Sequence, residues 1–266
     1  MTKIVVCGVA GRMGQRLAHL SLDALDLELV GGKEHPAHEA VGRDIGEIIG
    51  SSLLNIDVSD TLSGIVASDC VVVNFTTPEA TLEDAALCAE YGAPMVVGTT
   101  GFTPEQLDEF KSTISGISCV FASNFSTAMN ALFKLVEEAA NILGDEYDVE
   151  VVEAHHRHKV DAPSGSALPL AERAAAGLNR NLHEVVVHGR EGVVGERTRE
   201  EIGMHAMRAG DIAGEHRVLY AAPGEFIELK HFATSRDSFA LGALRAARFA
   251  TTVDPGLYSM GDVLGL

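Results

Sequence analysis

The feature that most constrains this chain is the alternation, through its first half, of short apolar runs with amphipathic helical stretches. Lys3–Cys7, Leu27–Gly32, Val71–Phe75, Met95–Val97 and Cys119–Ala122 are too short for buried helices and read as buried strands. The stretch after the first run places Met13, Leu17 and Leu20 on one helical face. Pro78 opens a second helix with Glu79 in its first turn and Gly92 just past its end, and Thr103-Pro104-Glu105 opens a third in the same way. Strands alternating with helices imply a parallel sheet covered on both faces, so the expected fold is α/β, with a Rossmann-like doubly wound sheet at the N-terminus.

Near Asn124 the pattern changes. Met129–Leu143 reads as a longer helix, Val149–Ala154 as a strand and Ala167–Gly177 as a helix. The runs Glu184–His188, Ile202–Arg208, His216–Ala221 and Phe226–Phe232 follow, separated by turns, and Ala240–Phe249 is a final helix. Strands in succession with little helix between them point to a C-terminal α+β domain with a mixed or antiparallel sheet.

Charge narrows the partners. The 266 residues carry a formal net charge of −18, which repels phosphate backbones and anionic membranes; neither nucleic acid nor membrane is an expected partner. A small anionic substrate is compatible with this, because a local basic pocket outweighs a distant field. Cys7, Cys70, Cys88 and Cys119 stand far apart in apolar surroundings with no CxxC, so free thiols in a reducing compartment are expected, not disulfides or a zinc ribbon. The first apolar run is too short for a signal-peptide core, and the longest uncharged stretch, Ser112–Phe133, is broken throughout by Ser, Thr, Asn and Gly. The expectation is a cytoplasmic protein.

Two segments carry chemistry. Gly8-Val9-Ala10-Gly11-Arg12-Met13-Gly14 joins the first strand to the first helix as GxxGxxG, which provides a tight turn, close backbone approach and a helix N-terminus facing an anion. Three glycines can also make a turn and nothing more. Glu34, about twenty residues on at the end of the second strand, moves the reading to a dinucleotide, since an acid there hydrogen-bonds the ribose hydroxyls. Lys33, Glu34, His35 and Arg12 together suit either a ribose diol or a 2′-phosphate, and the balance leans to NAD or dual use. Gly98-Thr99-Thr100-Gly101 and Ala122-Ser123-Asn124-Phe125 each leave the carboxyl end of a strand. The first is either a hydroxyl-capped turn or a place where backbone meets a flat ligand and hydroxyls hold an amide.

The second segment, Glu153 to Ser166, packs His155, His156, Arg157, His158 and Lys159 together and ends in Pro163-Ser164-Gly165-Ser166, a turn into a helix whose backbone N–H groups can receive a carboxylate. A solvated charge run is the bland alternative. Zinc is disfavoured, because consecutive histidines on an extended chain point to opposite faces and Arg157 and Lys159 add positive charge; no metal is expected. Ser164 lacks the GxSxG elbow of an acyl-transfer nucleophile. His188, His205, His216 and His231 lie scattered on strands and read as structural.

The E-A-H-H-x-x-K-x-D-A-P-S-G-S-A run, with G-x-x-G-R-M-G at the start, G-T-T-G-F midway and R-A-G-D-I at Arg208–Ile212, resembles the 4-hydroxy-tetrahydrodipicolinate reductase family along the whole chain. The resemblance implies hydride transfer from a nicotinamide cofactor to a cyclic dicarboxylate, with loss of its 4-hydroxyl as water, in the diaminopimelate route to lysine. It implies His155 as acid/base and Lys159 as proton donor. Cofactor contacts would be Gly8, Val9, Ala10, Gly11, Arg12, Met13, Glu34, Gly98, Thr99, Thr100, Ala122, Ser123, Asn124 and Phe125. Substrate contacts would be His156, Gly165, Ser166 and Arg236. It further implies a dinucleotide-binding domain of residues 1–126 plus 240–266, a substrate and oligomerisation domain of residues 127–239, and a homotetramer. His35 stands where some relatives carry Arg, which implies NADH or dual use. Ser166 replaces a common Thr and keeps its hydroxyl. Two other readings stay open: the same cofactor with another small cyclic imine or keto acid, and a nucleotide sensor without catalysis.

Overall fold

The computed structural model describes residues 1–266, which form two compact units: 1–127 with 236–265, and 128–235. The chain therefore returns to the first unit at Arg236, a few residues before the expected Ala240.

In the first unit β1 (Thr2–Cys7), α1 (Arg12–Leu22), β2 (Leu27–Lys33), α2 (Ile45–Ile48), β3 (Val58–Ser59), β4 (Cys70–Asn74), α3 (Pro78–Tyr91), β5 (Met95–Val97), α4 (Pro104–Thr113) and β6 (Ser118–Phe121) follow one another. Most boundaries have local causes. Thr77 and Thr103 cap α3 and α4 through their side chains with Pro at the first turn, and Gly92 closes α3 in the left-handed conformation. The strands lie in the order β3-β2-β1-β4-β5-β6, all parallel, so the winding reverses between β1 and β4.

Side chains of the central strands alternate strictly. Ile4, Val6, Val71, Val73, Val96 and Val120 face one core, while Val5, Cys7, Val72, Met95, Val97 and Cys119 face the other with α3 and α4.

The second unit contains α5 (Thr127–Leu143), β7 (Asp148–His155), α6 (Ala167–Gly177), α7 (Leu182–Val185), β8 (Val186–His188), β9 (Ile202–Arg208), β10 (Glu215–Ala222) and β11 (Glu225–Phe232). Its mixed sheet has the order β11-β10-β7-β9-β8, antiparallel across β11, β10 and β7 and parallel across β7, β9 and β8. Val149, Val151, Ile202, Met204, Val218 and Tyr220 bury one face beneath α5 and α6. The run Glu184–His188 is not one strand: Asn181 caps a helical turn by accepting from His183 N, and only Val186–His188 pair with β9.

The chain then re-enters the first unit as α8 (Asp237–Ala250), β12 (Gly256–Tyr258) and α9 (Met260–Leu264). Ala240, Ala243, Leu244 and Ala247 of α8 complete the core on the α1 side, and β12 adds a parallel edge beside β6. No helix is long and apolar enough to cross a membrane.

Lys33, at the end of β2, buries its ammonium against the fully buried Asp84 of α3, and Asn74 donates to the other Asp84 oxygen at 2.8 Å. Removing one member of such a pair leaves an uncompensated charge, whereas removing both does not. Asp84→Ala should therefore cost about 3–5 kcal/mol in urea unfolding followed by circular dichroism. Lys33→Met combined with Asp84→Leu should recover most of that loss. Equal losses in the two proteins would contradict the role of the pair.

Candidate active site

The loop after β1 is shaped by backbone. Gly8 has φ 71°, and a Cβ there would stand 3.1 Å from the Thr76 methyl and 3.2 Å from the Phe75 carbonyl oxygen. Gly14 brings α1 so close that a Cβ would lie 2.0 Å from the Gly8 oxygen. Gly8 N and Val9 N donate to the Lys33 carbonyl at 2.8 and 3.2 Å, stitching the loop to β2. α1 begins at Gly11 with no side-chain cap and no acid in its first turn, so no side chain of its own takes the place an anion would occupy. Glu34 lies against the loop, its carboxylate accepting from Ala10 N and His35 N at 3.0 Å each. Arg12 and His35 are exposed beside it. A cradle closed to any Cβ, a free helix N-terminus and an anchored acid fit a dinucleotide.

Other expected contacts turn inward. Lys33 is committed to Asp84 and does not stand with Arg12 and His35 as a cation for the cofactor. Thr99 is buried, and its hydroxyl accepts from Thr76 N at 3.1 Å and bonds Thr81 Oγ1 at 2.8 Å, so it is not free to hold an amide; Thr100 is exposed. Gly98 is a glycine because the Phe75 ring fills the space, 2.1 Å from where a Cβ would be. Phe125 is core: it is buried, its ring centroid 5.5 Å from that of Phe75, and Gly242 of α8 admits its carbonyl. Val9 is likewise buried, and Met13 and Ala122 pack on the same core. Asn124 accepts from Ser126 N at 2.8 Å, and Ser123 is exposed. Several of these positions can thus offer a ligand backbone but not side chain.

In the second unit, period-two alternation along β7 puts Glu153 and His155 on the face that carries Val149 and Val151. Glu153 has no solvent exposure. Its carboxylate receives Arg208 through Nη1 and Nη2 at 2.8 Å each, Ser164 N at 3.1 Å and His155 Nδ1 at 2.6 Å. Burial pushes its carboxyl up, but Arg208 and His155 outweigh that and hold it below the ordinary range. His155 is pushed down, by burial first, with Lys159 and Arg208 adding to the effect against the pull of Glu153.

His216 and His231, which the sequence presents as structural, stand beside this cluster. The strand register sets Glu153, His216 and His231 side by side across β7, β10 and β11. The His216 ring is 5.1 Å from that of His155 and its Nε2 is 2.9 Å from Ser164 Oγ; burial drives its pKa down to about 3. No short motif links these positions, and only the period-two pattern shared by the three strands hints at their common face.

Lys159 Nζ is 2.9 Å from Asp161, whose carboxyl that contact holds down. Gly165 faces open space, while Ala167 N already donates to Ser164 and is withdrawn from the anion-receiving part of this turn. His156 Nδ1 is buried without a hydrogen-bond partner, a condition it shares with His19 and His216 Nδ1. Arg236 is exposed and belongs to the first unit, at the start of α8, whereas His156, Gly165 and Ser166 belong to the second.

A sheet wound in Rossmann order with a glycine loop at its reversal is the architecture of a nucleotide-binding domain, and the second domain adds a buried cluster of Glu153, His155 and Arg208. The family model for the N-terminus of dihydrodipicolinate reductase matches residues 2–125, and the model for its C-terminus matches residues 128–264. Curated 4-hydroxy-tetrahydrodipicolinate reductases of Syntrophobacter fumaroxidans and Geobacter sulfurreducens are 48% and 46% identical over 266 residues, covering all of both chains. A dihydrodipicolinate reductase from a Paenisporosarcina species, solved with dipicolinate bound, is 25% identical, with a TM-score of 0.74 over 97% of each chain. An amine dehydrogenase of Mycobacterium smegmatis, 12% identical with a TM-score of 0.65 over 97% of this chain and 95% of its own, shares the fold. The chain belongs to the dihydrodipicolinate reductase family.

The depressed histidines make stability depend on pH. An unfolded histidine takes up a proton near pH 6.5, whereas folded His216 resists protonation to about pH 3. Below 6.5 the unfolded state therefore binds more protons, and stability falls on acidification by up to roughly 1.4 kcal/mol per pH unit for this one group. Urea midpoints measured between pH 7.5 and 5 should fall, and His216→Gln, which can still bond Ser164, should flatten the slope. An unchanged slope in the variant would refute this.

Proposed function

We propose that this protein reduces 4-hydroxy-tetrahydrodipicolinate to tetrahydrodipicolinate with NADH or NADPH and releases water, in the diaminopimelate route to lysine. The observation that carries the reading is the His155 cluster: a neutral, carboxylate-anchored imidazole beside Lys159 and a histidine whose buried nitrogen lacks a partner. NADH or NADPH, when bound, supplies the hydride. Gly8, Ala10, Gly11, Arg12 and Glu34 would hold it, with backbone from Val9, Met13, Gly98–Thr100 and Ala122–Phe125. His156, Gly165 and Ser166 would receive the substrate carboxylates, with Arg236 as a further clamp, and the dipicolinate bound to the Paenisporosarcina relative supports a small dicarboxylate. Lys159 Nζ, oriented by Asp161, donates the proton that quenches electron density left in the ring after reduction, and His155 serves as acid/base. Overall one hydride and one proton enter, and the 4-hydroxyl leaves as water.

Withdrawal of Lys33 into its pair with Asp84 leaves Arg12 and the His35 imidazole as the basic side chains next to the loop and Glu34 in sequence, which supports NADH or dual use. The face of the second sheet opposite α5 and α6 carries Phe226, Phe232 and Met207, all more than half exposed, and supports assembly through this sheet into a homotetramer. Four free, buried cysteines support a cytoplasmic setting.

Cofactor absorbance, followed with freshly generated 4-hydroxy-tetrahydrodipicolinate, should show rapid oxidation by the purified protein alone; none, from protein that binds nucleotide, would refute the reading. Lys159→Ala should lower kcat by about 100-fold or more while NADH still binds, and near-normal turnover would remove Lys159 from its role. His35→Arg should shift the NADPH/NADH rate ratio upward, because a guanidinium meets a 2′-phosphate where an imidazole does so weakly. A ratio that does not move would place cofactor choice elsewhere.

A further inference from the structure

The two ring nitrogens of His155 have different surroundings. Nδ1 lies 2.6 Å from Glu153 Oε2. Nε2 faces Gly214, where a Cβ would stand 3.2 Å away, so the missing side chain keeps that nitrogen uncovered. The carboxylate is saturated: Oε2 takes His155 and one Arg208 nitrogen, and Oε1 takes Ser164 N and the other. Arg208 is itself fixed by donating to the Met207 and Asp161 carbonyls at 2.6 Å each.

An ionised carboxylate can only accept hydrogen bonds, so the nitrogen facing it must carry the proton. Lys159, Arg208, His216 and Asp161 are the other charged or titratable groups around the ring. Of these, Arg208 acts directly on Glu153, and His216 braces Ser164, whose amide bonds Glu153.

We infer that Glu153, held by Arg208, is a positioning residue that locks His155 in the Nδ1–H tautomer, so that Nε2, uncovered by Gly214, is the nitrogen that handles the proton. The inference rests on the reading of His155 as the acid/base of the reaction. Through Ser164 N the same carboxylate also pins the turn that carries Gly165 and Ser166, so one buried group orients the imidazole and braces the anion-receiving turn.

The test is nitrogen NMR on ¹⁵N-histidine-labelled protein, with the His155 signals identified by their loss in His155→Ala. At neutral pH the unaltered protein should show a protonated Nδ1 and a bare Nε2; a bare Nδ1 overturns the inference. In Glu153→Gln, whose amide can also donate, the Nε2–H form should gain population, and kcat should fall about 100-fold with the KM for NADH changed less than about 2-fold. Adding Glu153→Gln to His155→Ala should then cost less than about 3-fold, because the first residue acts through the second. An unchanged tautomer, or a full additional loss in the double variant, overturns the inference.

If Glu153→Gln does not fold, the tautomer of the unaltered protein still decides. Gly214→Ala then serves as the kinetic arm: crowding Nε2 should lower kcat about 10-fold, and unchanged turnover overturns the assignment of that nitrogen. The tautomer measurement needs no substrate. A protein that proves inactive on 4-hydroxy-tetrahydrodipicolinate thus refutes the reductase reading without touching the result for Glu153.

Discussion

A carboxylate with no contact with water organises the second unit. Left alone in such a place, an ionised Glu153 would cost several kcal/mol, and it is tolerable only because four donors meet its two oxygens. Those donors come from β7, from the end of β9 and from the turn entering α6. The demand of one charge for partners therefore fixes the relation of three elements to one another. Burial is what keeps the histidines beside it neutral, with repulsion from Lys159 adding to the effect against the pull of Glu153.

The first unit works by exclusion of side chains. Gly8 and Gly14 let the loop and helix close on each other, Gly98 yields its space to Phe75, and Gly242 yields to the Phe125 carbonyl. Polar groups near this loop are tied into a continuous set from Lys33 through Asp84 and Asn74 to Thr81 and Thr99. That set links the carboxyl ends of β2 and β4 and the loop after β5 through α3, without presenting charge to a ligand. What remains available above it is backbone, one anchored acid and an uncapped helix.

Much of this was legible in the chain itself. Short apolar runs marked the central strands of the first sheet, because a parallel sheet buried on both faces is filled mainly by apolar side chains. Glu34 could be found because its distance from the glycine loop is set by one helix and one strand. The cluster from His155 to Ser166 announced itself because its members are neighbours in sequence. What stayed hidden depends on register. Whether Lys33 meets a ligand or Asp84 is decided by how α3 lies on the sheet, and a lysine beside an acid at a strand end looks the same either way. His216 and Arg208 join the site because β10 and β9 flank β7 with a particular pairing, which no local spacing encodes. The two-residue strand β3, the three-residue β12 and the single turn α7 are too short to carry a periodic signal.

The first unit is built from two separated stretches of chain, and this bears on the order in which the protein can take shape on the ribosome. When β1 to β6 have emerged, the core on the α1 side still lacks Ala240, Ala243, Leu244 and Ala247, so Ile4, Val6, Val73 and Val120 have only part of their cover. The sheet and helices between residues 128 and 235 are complete before any of α8 has been translated. The unit inserted in the middle is therefore the first able to close its own core, and the nucleotide-binding sheet, though begun earlier, must wait for the last helices to be sealed.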